Sequence, residues 1–263
     1  MSLAYENRKE SILKLLEKDG KIYVPNIAKM LNVSSETIRR DLDRLEQEGQ
    51  LKKVYGGAVV NRTLSVEPAF DQKISMNTKE KQIIGKLAAS LIVDGDVIMI
   101  GNGTTALNIL DYIDNRKNLT LITHSTPVML KAMQHFNGEL IFIGGKVDVK
   151  QQSTHGPLAE MELSQLKANK AFISVGGIST TDGITDYDLN EASMSRLLMQ
   201  RSEESIVLAD NSKIGLTTFA HICDLKHIST FVTNDDCPTG MKQALDENGI
   251  SLLSPGSVNG SRQ

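Results

Sequence analysis

"SSETIRRDLDRLEQEGQLKKVYGGAV", Ser34 to Val59, carries the pattern on which the fold of the first quarter of the chain turns. Ser34 or Ser35 suits a helix N-cap, and Glu36 favours the positive end of a helix dipole. Ile38, Leu42 and Leu45 recur at i, i+4 and i+7 and make one apolar stripe. At about 100° per residue, Thr37, Arg40 and Arg44 then project from the opposite face, with Arg39 on the flank. Gly49 supplies a C-terminal stop. The following "QLKKVYGGAVV" reads as two short strands around Tyr55-Gly56-Gly57, whose glycines tolerate the positive φ of a tight turn.

Upstream, Ile12, Leu13 and Leu16 fit a helix from about Tyr5 to Lys18, stopped by Asp19-Gly20. "KIYV" reads as a short strand. Pro25 suits the first turn of a second helix, which turns Ile27, Ala28 and Leu31 inward and ends near Asn32-Val33. Three helices and a basic hairpin make a winged helix-turn-helix. The bland alternative is that the arginines only solvate an exposed helix, paired with Asp41, Asp43 and Glu48. The combination favours DNA. A helix of this width fits the major groove and would present Ser35, Thr37, Arg39, Arg40 and Arg44. Lys52, Lys53 and the Tyr55-Gly56-Gly57 turn can approach phosphates or the minor groove. Residues 1–65 hold 12 Lys and Arg against 9 Asp and Glu, a net +3, on a chain whose total is −3. A mildly basic head on an acidic body is what an N-terminal nucleic-acid module produces.

Downstream, "NRTLSVEPAF" is a polar stretch closed by Pro68. Beyond it, helical and strand patterns alternate: a helix over Thr78–Leu91, strand "VIMI", helix "ALNILDYI", strand "LTLIT", a helix from Pro127 and strand "ELIFIGG". They continue with a helix near Leu158–Leu166, strand "AFISVGG", a helix over Ala192–Arg201, strands "SIVLAD" and "TFVTN", and a helix over Met241–Asn248. Such alternation, rich in Ile and Val, predicts an α/β domain with a mainly parallel sheet covered on both faces. The expected division is a head over 1–60, a connector over 61–76, an α/β body over 77–255 and a flexible tail over 256–263.

In such sheets ligands sit beyond the carboxyl ends of the strands. Polar or glycine-rich clusters fall there: Asn102-Gly103-Thr104-Thr105, Thr123-His124-Ser125, Gly144-Gly145, Gly176, and Asp210 with Lys213. Gly103-Thr104-Thr105 opens a helix, where free N–H groups favour an anion, and Lys213 adds a compact positive charge. The clusters together predict a phosphate-bearing small ligand. Neither a P-loop nor a G-x-G-x-x-G dinucleotide fingerprint is present.

The wider composition is that of an ordinary globular chain, with 263 residues, 40% hydrophobic and 23% charged. No apolar run reaches the roughly 18–20 residues of a membrane span. The first residues lack the order of a signal peptide. Cys223 and Cys237 form no CxxC pair and the five histidines are scattered, so neither a disulfide framework nor a metal site is indicated. A cytoplasmic protein without metal or cofactor is expected.

The stretch quoted first resembles the N-terminal signature of the DeoR/GlpR family of bacterial transcription regulators. That pattern is T-x-R-R-D-L-x-x-L, then a basic strand and G-G-A. The resemblance implies a repressor, usually of a carbohydrate operon, bound to double-stranded operator DNA as a symmetric oligomer. From about Asp94 to Asn234 the chain is similar to the DeoR-type sensor domain, through "GTT", the Thr-x-Ser strand end, "GG" and "AD-x-SK". That domain's fold is related to ribose-5-phosphate isomerase, and it binds phosphorylated sugars. Two positions depart: Gly101 stands where many members carry an acid, and His124 where Asn is more frequent. The rival reading is an active sugar-phosphate isomerase fused to a DNA-binding module. The isomerases carry an acidic D-G-A-D run where this chain reads "VGGI", Val175 to Ile178. Glu191 falls near their catalytic glutamate without those companions, so it is expected among the effector contacts and no catalytic residue is expected. A helix-turn-helix used for protein contacts is a third reading, disfavoured by the basic wing.

Overall fold

A computed structural model describes residues 3–47, 50–60, 67–113, 116–235 and 237–256. The N-terminal elements are α1 (Leu3–Asp19), β1 (Lys21–Tyr23), α2 (Val24–Met30), α3 (Ser35–Gln47), β2 (Leu51–Val54) and β3 (Gly57–Val60). Ile12, Ile38, Leu42, Leu45 and Ala58 are fully buried in one apolar cluster, so the α3 stripe faces inward as its spacing requires. The Ser34 hydroxyl caps α3 by accepting from the Thr37 N–H at 3.1 Å. Val24 opens α2 one residue before Pro25. Gly49, expected to stop α3, lies outside the described residues.

The three strands form an antiparallel sheet in the order β1-β3-β2. The wing turn is Tyr55-Gly56, with Gly56 at φ +77°. Gly57 does different work from the turn expected of it. It opens β3 opposite Tyr23, and a Cβ there would stand 1.9 Å from the Ile22 carbonyl oxygen. Only glycine lets β1 pair so closely.

The body comprises α4 (Phe70–Ile74), α5 (Thr78–Ala89), β4 (Val97–Ile100), β5 (Thr120–Thr123), α6 (Thr126–His135), β6 (Glu139–Phe142), β7 (Lys146–Asp148), β8 (Ser153–His155) and α7 (Pro157–Ser164). It continues with β9 (Ala168–Ser174), β10 (Gly177–Ser179), β11 (Gly183–Asp186), α8 (Leu189–Gln200), β12 (Ser202–Leu208), β13 (Ala220–Cys223), β14 (Thr230–Val232), α9 (Thr239–Glu247) and β15 (Ser251–Leu253). Seven strands make a parallel sheet in the order β15-β14-β12-β9-β4-β5-β6. Alternate strand residues feed two apolar clusters: Met99, Ala171 and Val207 join one, while Ile98, Ile100, Phe172 and Ile206 join the other. Both faces are therefore covered, which is why these strands read as continuous apolar runs.

From β4 the chain adds β5 and β6 on one side, then crosses to β9 and continues outward through β12, β14 and β15. The order reverses between β4 and β9, and that crevice is where such sheets hold ligands. "ALNILDYI" forms a 3-10 helix, Ala106–Tyr112. The β7–β8 hairpin and the antiparallel β10-β11-β13 sheet were not foreseen, because their strands are only three or four residues long, too short for a periodic apolar signal, and β8, β10 and β11 are rich in Gly, Ser and Thr.

The predicted connector needs correction. Phe70 is 1% exposed, packs with the Ile84 and Ile92 cluster, and donates its N–H to the Lys150 carbonyl at 3.1 Å. Residues 67–76 thus belong to the body. Residues 61–66 of that connector and 257–263 of the expected tail lie outside the described residues.

Candidate nucleic-acid interface and ligand cavity

On α3, Glu36, Arg39, Arg40 and Asp43 are exposed while Ile38 and Leu42 are buried. Arg39 and Arg40 flank Glu36 at 3.4 and 3.8 Å, in pairs whose side chains are all more than half exposed. Pairs of this kind are worth about 0–1 kcal/mol, so a phosphate or a guanine edge can displace Glu36. Ser35 begins the helix, and the Thr37 hydroxyl is engaged by Ser34 at 2.9 Å. Arg44 departs from the expected outward face: its guanidinium stacks 4.2 Å from the centroid of the Tyr5 ring. Arg8 likewise pairs with the buried Asp41 at 2.6 Å. Helix α1 therefore covers the side of α3 that carries 41 and 44, and the exposed basic surface of α3 narrows to Arg39 and Arg40.

The wing lysines alternate as strand residues must. Lys52 stands in solvent, while Lys53 pairs with Asp43 and gives its backbone N–H to Glu46 at 2.8 Å. Tyr55 is fully exposed at the tip beside Gly56.

In the body a cavity of about 380 Å³ lies beyond the ends of the central strands. Asn102, Gly103, Thr104 and Thr105 enter from β4, Ser174 and Gly176 from β9, and Asp210, Ser212 and Lys213 from β12. Gly103 has φ +142°, and a Cβ there would meet the Ser174 side chain at 2.4 Å. That close approach lets the Ser174 hydroxyl accept the Ala106 N–H at 3.1 Å and fixes the crevice. The buried Asp210 carboxylate accepts the Ser212 N–H at 2.9 Å, capping the short turn that presents Lys213. Among the described residues Lys213 has no carboxylate partner; its ammonium lies 5.5 Å from the Tyr187 ring centroid. Lys81, from α5, donates to the Lys73 and Met76 carbonyls at 2.5 and 2.6 Å, and burial pulls its pKa down to about 8.

Two carboxyls face this cationic side. Burial, reinforced by the charges of Glu67 and Glu191, pushes Asp186 up to about 8. Burial alone would raise Glu191, but His124, Ser153 and Lys73 outweigh it and hold that carboxyl below its ordinary value. The Ser153 hydroxyl donates to Glu191, whose other oxygen lies 3.5 Å from His124 Nε2.

Several expected contacts stand elsewhere. Thr123, His124 and Ser125 are at most 1% exposed and sit behind the cavity wall. The Thr123 hydroxyl donates to the Ile100 carbonyl at 2.7 Å, stapling β5 to β4, and Ser125 donates to Asn102 at 2.9 Å. Gly144 and Gly145 turn the chain from β6 into β7 away from the cavity, Gly144 giving its N–H to Glu162 at 2.7 Å. Both clusters follow strands on the far side of the switch point, where β4 or β5 intervenes. Gly101 is buried against Phe172 and Leu198 and does not line the cavity. The sequence reading missed Glu67, Lys73, Lys81, Asp186 and Tyr187. Lys81 left a faint signal, a charge on the inward side of an apolar helix pattern; Asp186 left none.

An exposed arginine-bearing helix with a basic wing, joined to a parallel α/β body with a polar cavity at its switch point, defines a DNA-binding regulator with a ligand-sensing domain. Family models agree on both halves: the DeoR-like helix-turn-helix domain matches residues 8–63 and the DeoR C-terminal sensor domain residues 76–235. The chain belongs to the DeoR family of transcriptional regulators. It is 30% identical to the HTH-type transcriptional regulator GolR of Listeria innocua, over 93% of this chain and 96% of that one. It is 34% identical to a lactose phosphotransferase system repressor of Staphylococcus epidermidis, over 88% and 92%. Among solved structures, ribose 5-phosphate isomerase A of Methanocaldococcus jannaschii aligns at TM-score 0.40 and 22% identity, over 52% of this chain and 55% of that one.

Proposed function

We propose that this regulator represses a carbohydrate-utilisation operon in the cytoplasm and is controlled by a phosphorylated sugar in the body cavity. One observation carries the ligand class: Lys81 and Lys213 meet the helix start at Gly103–Thr105 in a single crevice. Two ammoniums, with Thr104 and Thr105 in the lining, favour a phosphate, and Asp186 and Glu191 suit sugar hydroxyls. The name of the staphylococcal relative, a repressor of a sugar system, supports the carbohydrate context. One small head reads about half a site, so a symmetric homo-oligomer on repeated half-sites is expected. No cofactor or metal enters this reading.

Calorimetry with pentose and hexose monophosphates against the free sugars tests it. The esters should bind at least tenfold more tightly, and saturation should change operator affinity at least tenfold, about 1.4 kcal/mol of coupling. Thr105→Ala should raise the ester concentration needed while leaving operator affinity without ester unchanged. Equal binding of free sugar and ester would defeat the phosphate assignment.

The isomerase reading gains something from Asp186, an acid in the cavity that the sequence reading lacked. Proton transfer between carbons needs a free carboxylate base. Burial pushes Asp186 up to about 8, which disfavours a free carboxylate there, and both Glu191 oxygens face partners. No turnover of pentose or hexose phosphates is expected; turnover abolished by Glu191→Gln would establish the enzyme instead.

A further inference from the structure

Glu67, Pro68, Lys73, Met76, Asn77 and Lys81 line the cavity opposite the strand ends, and all six belong to the segment that follows the wing. Strand β3 ends at Val60, so Glu67 is separated from the wing by at most about 25 Å of extended chain. We propose that Lys73 is a ligand-contacting residue, and that an anionic ligand's competition with Glu67 for Lys73 carries binding to the DNA-reading head. This rests on the sugar-phosphate reading above.

The Lys73 ammonium donates to the Glu67 carboxylate and to Gln151 Oε1, the latter at 2.9 Å. Both members of the pair are at most 19% exposed, so neither is well solvated without the other. Glu67 is poorly placed otherwise: burial, and then the charge of Glu191, raise its pKa, while Lys73 and Lys213 oppose the rise. A phosphate among Lys73, Lys81 and Lys213 adds negative charge beside Glu67 and takes its counter-ion. Glu67 must then swing out or take up a proton.

Downstream the chain is pinned by Phe70 in the core. Upstream it is held by single polar contacts, Lys150 Nζ to the Glu67 carbonyl at 2.7 Å and Gln151 Nε2 to the Pro68 carbonyl at 3.5 Å. Displacement therefore runs toward the wing. The ligand prefers the state with Glu67 released, and that difference in affinity is what a switch requires.

The test uses the full chain, pentose and hexose monophosphates, calorimetry and operator titration. Glu67→Gln keeps the side chain's shape and removes the competing charge. It should bind the tightest ester two- to tenfold more tightly than wild type, while the ester-induced change in operator affinity falls from at least tenfold to under threefold. Lys73→Gln should weaken ester binding at least tenfold, and Lys73→Arg should restore most of it. If Glu67→Gln responds to ester with the wild-type fold-change, the inference is overturned and the cavity assignment stands. If the wild-type protein binds no ester, the sugar-phosphate reading fails and takes this one with it.

Discussion

In the head, the candidate DNA contacts come from one continuous run, Ser35 to Gly57, and Arg39, Arg40, Lys52 and Tyr55 stand in solvent. In the body, the cavity draws on segments from Glu67 to Lys213, and Thr104, Thr105, Asp186, Glu191 and Asp210 are all buried. The first surface is a set of charges held loosely by exposed partners; the second is a crevice whose shape and protonation depend on the whole domain. Substitutions in the head should therefore separate function from stability cleanly. In the body the two are entangled.

The largest effect should come from Gly103→Val. Its Cβ would collide with Ser174 at a backbone conformation that only glycine adopts easily. Denaturant unfolding should show a loss of about 3 kcal/mol or more. A loss under about 1 kcal/mol would mean that the crevice yields, and the contrast with the head would weaken.

Asp186 comes next. Its folded pKa of about 8 lies above the ~3.9 of an unfolded carboxyl, so the fold binds the extra proton. The linked stability is present in acid and is lost as pH rises through about 4 to 8. Asp186→Asn should remove that loss, leaving the variant about 1–4 kcal/mol more stable than wild type at pH 8 and little changed at pH 4. Melting curves across this range test it, and parallel profiles for the two proteins would refute it.

In the head, Arg40→Ala should cost about 1–3 kcal/mol of operator binding and relax sequence preference, with stability within about 0.5 kcal/mol of wild type. Unchanged affinity would remove α3 from the interface. The smallest effect separates the two wing lysines. Lys52→Ala should weaken all DNA sequences alike and flatten the salt dependence by about 0.9 of a unit. Lys53→Ala should do less, because Asp43 already neutralises it; in an Asp43→Asn background the two should converge.

The sequence by itself determined the head almost completely. Helical spacing at Ile38, Leu42 and Leu45, the Ser34 cap and the glycine-bearing hairpin are local signals, and local backbone physics obeys them. It also determined that the body is a parallel α/β sheet, because strands buried on both faces must be apolar throughout. Tertiary structure decided the rest. Arg40 and Arg44 share a helical face by angle, yet the packing of α1 leaves only Arg40 outward. Gly103–Thr105, Thr123–Ser125 and Gly144-Gly145 look alike as strand ends, yet only the first borders the switch point between β4 and β9. Phe70 reads as part of a polar connector until the core that receives it is assembled. Asp186 is likewise ordinary until β11 carries it beside Glu191. Periodicity reports which side of an element is buried, whereas the partners that meet at a cavity are fixed by strand order and packing between residues far apart in the chain.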